Sequence, residues 1–346
     1  MNDTPKEFLI TEHIKDTNIT QSSIQDSVLK TLSTLDSPPD NIGLFKVKTS
    51  NQWLLDASTR PVPQALYRSL WFENEVCVAF AETNLGKSIL AVQIGVKIAE
   101  TRKVLYFDFE LSDKQFELRY SNDYTAHYKF PDNFLRAEIN QDEVDFKSAG
   151  FPTLEDYINE SIERAVIETG AKVLIIDNLT YLRTETEKAK DALPLMKHLK
   201  ALKNKYGLSI LCLAHTPKRD LSRPITQNDL AGSKMLINFC DSAFAIGAST
   251  QDKATRYIKQ IKARNTEIEF DSENVALYQI EKPFNFVQFS SRGYSSEREH
   301  LKQFTKQDRD SVIQNVKDLK KQGYSQREIG IKLGISLGSV HNYINE

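Results

Sequence analysis

Ala81-Glu82-Thr83-Asn84-Leu85-Gly86-Lys87-Ser88 stands between an apolar run, Val76 to Phe80, and a helical pattern from Ile89 to Ala99. A strand that turns sharply into a helix points backbone N–H groups and the helix N-terminus at one spot, which suits a polyphosphate. The octapeptide therefore reads as a phosphate-binding P-loop, which places a nucleotide in this chain. Lys87 is expected to reach the β- and γ-phosphates and the Ser88 hydroxyl to hold Mg²⁺, with Ile89 continuing the helix that opens there. Ala81 replaces the first glycine of the GxxxxGK[ST] form, a position that asks only for a small side chain. Asn84 stands where many such loops carry another glycine, and Asn adopts positive φ more readily than most residues.

The 346 residues suffice for a full α/β core with an appendage. No apolar run approaches the ~20 residues of a membrane-spanning helix. Met1 to Lys15 lacks the basic-then-apolar order of a signal peptide. Cys77, Cys212 and Cys240 have no metal-ligand spacing and are expected to be reduced, buried side chains of a cytoplasmic protein. A net charge of −2 excludes a globally basic nucleic-acid coat, so any nucleic-acid contact must come from local patches. Residues 1–45 carry three Lys against seven Asp/Glu, whereas residues 301–346 carry eight Lys/Arg against five Asp/Glu. The C-terminal end is thus the expected DNA-facing part.

Residues 1–45 are polar, end in the breaker cluster Ser37-Pro38-Pro39-Asp40, and read as an arm with one short helix, Ser23 to Leu35. Residues 46–292 alternate strand-like runs with amphipathic helices. The runs are Val104 to Phe109, Val173 to Ile176, Leu208 to Ala214, Ser242 to Ile246, Tyr257 to Ile261, Val275 to Ile280 and Phe284 to Phe289. Helices are expected over Ser112 to Asn122, Lys188 to Lys205 and Ala231 to Phe239. This alternation predicts an α/β fold, a mostly parallel central sheet flanked by helices with an antiparallel extension. A polar linker, 293–305, leads to a small all-α unit over 306–346.

Val173-Leu174-Ile175-Ile176-Asp177 is an apolar run ending in a carboxylate, the form of a Walker B strand. Asp177 is placed to orient Mg²⁺ beside Ser88 at the C-terminal edge of the sheet. Val104-Leu105-Tyr106-Phe107-Asp108-Phe109-Glu110-Leu111-Ser112, followed by Gln115 and Arg119, resembles the corresponding strand of RecA-superfamily ATPases, in particular DnaB-type replicative helicases and RepA-like plasmid helicases. The resemblance spans roughly residues 60–290. It implies a RecA-like fold, with Glu110 as the general base that polarises the attacking water. It further implies that His215, after the run Leu208 to Ala214, senses the γ-phosphate, the histidine being the RepA-like choice. Tyr257-Ile258-Lys259-Gln260-Ile261-Lys262-Ala263-Arg264-Asn265 resembles the stretch whose Lys and Arg enter the neighbouring subunit's ATP site in DnaB-type rings, which would give Lys262 and Arg264 a catalytic role in trans within a homo-oligomer, expected to be a hexamer. The loop after His215, with Lys218, Arg219 and Arg223, would face single-stranded DNA.

Ser325 to Ile344 resembles the helix-turn-helix of resolvases and sigma-type regulators. Gly330 is small where two helices cross, Gly334 makes the turn, Val340 packs back, and Ser336 caps the second helix. Asp308 to Gln322 supplies the third helix. Ser339, His341 and Asn342 are then candidates for contact with duplex DNA. The whole reads as an ATPase of a plasmid or other mobile element that acts on DNA. The alternative is an ATP-controlled DNA-binding regulator or partitioning-type switch without unwinding activity.

Overall fold

Nine stretches pair into one sheet: β1 (Val76–Ala81), β2 (Val104–Asp108), β3 (Phe134–Ala137), β4 (Val173–Asp177), β5 (Ser209–His215), β6 (Ser242–Ala248), β7 (Thr255–Lys262), β8 (Val275–Glu281) and β9 (Gln288–Ser295). Their spatial order is β9-β8-β7-β6-β1-β5-β4-β2-β3. The six strands from β6 to β3 run parallel, and β7, β8 and β9 extend the sheet antiparallel. Every residue of β1, β2 and β4 is buried, which is why each reads as an unbroken apolar run rather than an alternation. The computed structural model describes residues 41–140, 142, 145–179, 192–230, 233–303 and 306–346.

Helices cover both faces. α1 (Lys87–Ala99) lays Leu90, Ile94 and Ile98 against one face. After the short α2 (Asp113–Arg119), α3 (Leu154–Thr169) and α4 (Ala192–Tyr206) cover the other with Ile162, Val166, Leu195 and Leu199, joined by Leu236 and Ile237 of α5 (Ser233–Phe239). The three cysteines are buried free thiols.

The molecule departs from the sequence reading in several places. α3 and β3 were not expected. The last strand begins at Gln288 rather than Phe284, which has φ +61° in the preceding turn. Residues 293–305 do not act as a plain linker over their described part. β9 runs on to Ser295, and Glu297, in the short helix Glu297–His300, is fully buried against Lys259, 2.5 Å away. The expected helix from Ser23 to Leu35 lies outside the described residues, as do the first residues of the helices expected from Lys188 and Ala231.

The chain divides into two compact units, 1–62 and 63–346, so residues 46–62, expected in the core, fall in the first. Its described part pairs Asn41–Ile42 with Phe45–Lys46 and adds a helix, Ser50–Ser58, capped by the Thr49 side chain. Within the second unit, α6 (Lys306–Lys321), α7 (Gln326–Leu333) and α8 (Leu337–Asn345) enclose Val316, Ile329 and Val340. Gly334 ends α7 at φ +65°, and the Ser336 hydroxyl accepts the Ser339 N–H to start α8. A Cβ on Gly330 would sit 3.0 Å from the Ile335 carbonyl oxygen, so the small residue lets the turn after α7 fold back closely onto that helix. Among the described residues no helix is long and apolar enough to cross a membrane.

Candidate nucleotide-binding and catalytic site

The loop from Glu82 to Gly86 closes on two left-handed residues, Asn84 at φ +65° and Gly86 at φ +90°. Asn is among the non-glycine residues that adopt this conformation most readily. Gly86 is required twice over, because a Cβ there would also lie 2.6 Å from Ile280 Cδ1 and 2.9 Å from a Phe289 ring carbon. Lys87 opens α1 and is buried. Its ammonium donates to the carbonyls of Ala81 (3.1 Å) and Glu82 (3.2 Å), neutral acceptors that phosphate oxygens would replace. Burial lowers the Lys87 pKa, opposed by the charges of Glu110 and Asp177.

β1 lies between β5 and β6, with β4 beyond β5 and β2 beyond β4. Because these strands are parallel, His215, Asp177 and the residues after Asp108 all emerge at the edge that carries the P-loop. Asp177 is fully buried at the end of β4; Tyr106 donates to its Oδ2 at 2.6 Å, and its Oδ1 has no hydrogen-bond partner of standard geometry. Burial pushes the Asp177 carboxyl up to about 6, against the lowering effects of the Ser88 and Tyr106 hydroxyls. A buried, unsatisfied carboxylate oxygen beside a hydroxyl is the oxygen-donor set that Mg²⁺ prefers, so Ser88 and Asp177 fit the ion. When bound, Mg²⁺ would neutralise charge on the phosphates. The Asp177–Asn178 peptide is cis.

His215 sits between Lys87 and Glu110. Its Nδ1 is 3.3 Å from the Lys87 ammonium, and its Nε2 is 3.2 Å from Glu110 Oε1. An ammonium only donates, so Nδ1 must accept and the ring proton lies on Nε2, directed at Glu110. The Asn178 amide nitrogen also donates to Glu110 Oε1. Its 2.9 Å approach to His215 Nε2 therefore sets donor against donor and is not a hydrogen bond in this tautomer. The His215 bond is the main reason that the Glu110 pKa is lowered, so Glu110 is held as a carboxylate ready to accept a proton.

Other expected residues lie elsewhere. Lys262 and Arg264 are on the opposite edge of the sheet, where Asp241 binds the first N–H of β1. The Lys262 ammonium donates to the carbonyls of Ile237 and, at 2.8 Å, Cys240, capping the end of α5. Arg264 pairs with Asp241 at 3.1 Å and is half exposed. Neither reaches the P-loop of its own chain. Arg219 is a correction: its side chain is only 6% exposed, 3.7 Å from Asp229, so the guanidinium is not offered to DNA as expected. Lys218 and Arg223 are exposed, Arg223 beside Asp220 at 3.4 Å. His341 and Asn342 are exposed on α8, while Ser339 is partly buried and bonds to Ser336. Sequence reasoning missed Tyr106, Asn178, Asp108 and Arg136. The first three stand in or beside the recognised strands, but Arg136 lies on a four-residue edge strand with no pattern to mark it.

A family model described as AAA domain matches residues 44–220, half of the chain. This chain belongs to the AAA-domain family. Its AAA domain is a P-loop ATPase domain built on the mostly parallel sheet. No curated protein matches the chain. Among solved structures, a KaiC-like protein from the hyperthermophilic archaeon Pyrococcus horikoshii is similar at 15% identity and a TM-score of 0.46, over 64% of this chain and 91% of that one.

Proposed function

We propose that this AAA domain hydrolyses ATP with Glu110 as general base and applies the cycle to DNA as part of a homo-oligomer, in the manner of RepA-like helicases. The observation that carries the catalytic part is the Lys87–His215–Glu110 chain, which joins the phosphate-binding ammonium to a carboxylate at one strand edge. Lys87 binds the phosphates, Ser88 and Asp177 hold Mg²⁺, Glu110 accepts the proton of the attacking water, and His215 registers the γ-phosphate through its bond to Lys87.

The oligomer rests on Arg264, a half-exposed guanidinium that its own site cannot use. The DNA partner rests on α6–α8, read as a helix-turn-helix with His341 and Asn342 exposed on α8, and on exposed Lys218 and Arg223. A replicative or mobilising role for a plasmid or other mobile element is the setting that this reading suggests.

ATP turnover with and without single-stranded DNA, followed by strand displacement from a forked duplex, tests the DNA part. Stimulation with displacement is expected. Site-specific duplex binding with neither would favour an ATP-controlled switch instead.

A further inference from the structure

Glu110 stands two residues beyond the end of β2, and its side chain is 38% exposed. A base in a loop needs something to fix its main chain, because a misplacement of about 1 Å at a reacting group can cost ~10²-fold in rate. We propose that the pair of buried Asp108 and partly buried Arg136 is the device that positions Glu110, a role that rests on the reading of Glu110 as the base.

Asp108 ends β2 with a fully buried carboxylate. Its Oδ1 accepts the N–H groups of Glu110 (3.2 Å) and Leu111 (3.0 Å). Its Oδ2 accepts Arg136 Nε at 2.9 Å, and a second guanidinium nitrogen donates to the Leu111 carbonyl at 2.9 Å. One planar fork thus grips both the carboxylate and the peptide it caps, something a lysine cannot do. The guanidinium also lies over the Phe116 ring, 4.5 Å from its centre, which ties the loop to α2. On the other side of Glu110, the Phe109 N–H donates to the Asp177 carbonyl at 2.8 Å. The main chain is held both before and after the base.

The arrangement also separates two neighbouring carboxylates. Asp108 and Asp177 are register partners on β2 and β4. Arg136 pairs with Asp108 and also with Glu138, while Asp177 Oδ1 has no hydrogen-bond partner of standard geometry. Neither Asp108 nor Arg136 touches the Lys87 ammonium, and both hold the Glu110–Leu111 main chain.

Arg136→Ala, Glu110→Gln and the double variant, each confirmed as folded by its circular dichroism spectrum and melting curve, are compared in ATP turnover and in binding of a non-hydrolysable ATP analogue. The positioning role predicts a kcat for Arg136→Ala lowered about 10- to 100-fold, analogue affinity within about twofold of the parent, and a double variant no slower than Glu110→Gln alone. Additive losses in the double variant, or an analogue affinity that falls as far as kcat, would overturn it. A crippled Glu110→Gln beside an unimpaired Arg136→Ala would overturn the positioning role and leave the base intact. Turnover that survives Glu110→Gln would overturn both. Should Arg136→Ala not fold, Asp108→Asn carries the same comparison, since its amide oxygen can still accept the two N–H groups while the ion pair is lost.

Discussion

The Asp177 carboxyl is wholly buried and titrates at about 6, above its ordinary value of 3.8. A raised carboxylate pKa means that the folded state binds the proton more tightly, so the charged group costs stability above about pH 6 and the cost disappears below about pH 4. Asp177→Asn keeps the acceptor for Tyr106 and removes that cost. The variant is expected to be more stable than the parent at pH 8 without nucleotide, by on the order of 2–3 kcal/mol, with no advantage at pH 4; denaturant melts at the two pH values measure the difference. Its gain should come with the loss of Mg²⁺-dependent stabilisation. Glu110 is shifted the other way, chiefly by His215. His215→Ala should therefore move the acid limb of the kcat profile to higher pH, and a limb that stays in place would separate His215 from the protonation state of the base.

At the scale of elements, the buried Lys259–Glu297 pair locks β7 to the segment after β9, and Glu297 also accepts the Ile225 N–H at 2.7 Å. Removing one partner of such a pair strands the other in a dry interior. Lys259→Met should lower the unfolding free energy by about 3–5 kcal/mol, with much of the loss recovered in a Lys259→Met/Glu297→Leu double variant, as read by chemical denaturation. The polarity of this stretch suggested a linker because sequence shows a charge but not its partner. β1, β2, β4 and β5 were legible since strands buried on both faces leave solid apolar runs. α3 was missed although Leu154, Tyr157, Ile158, Ile162 and Val166 recur at helical spacing. The aromatic run from Phe284 suggested a strand, but Phe286 instead joins Tyr120 and Tyr128 in a ring cluster below a turn. At the site, the residues that meet phosphate, metal or water follow from motif and strand edge. Those that hold them in place, Asp108, Arg136, Asn178 and Tyr106, emerge only when β2, β3 and β4 are brought side by side.

For the whole molecule, one sheet edge carries the chemistry and the opposite edge carries Lys262 and Arg264. In the proposed homo-oligomer Arg264 would act on a neighbour's site, at the expense of its pair with Asp241. Arg264→Ala is therefore expected to lose most turnover alone and to regain part of it when mixed with Lys87→Ala, each variant supplying what the other lacks; mixed oligomers without recovery would remove the residue from catalysis. The central claim, that this AAA domain turns over ATP through Glu110, is tested most directly by single-turnover hydrolysis in Glu110→Gln with nucleotide binding measured on the same protein. The account predicts binding like that of the parent and hydrolysis slowed by about 10²- to 10⁴-fold. Hydrolysis at the parent rate would contradict it.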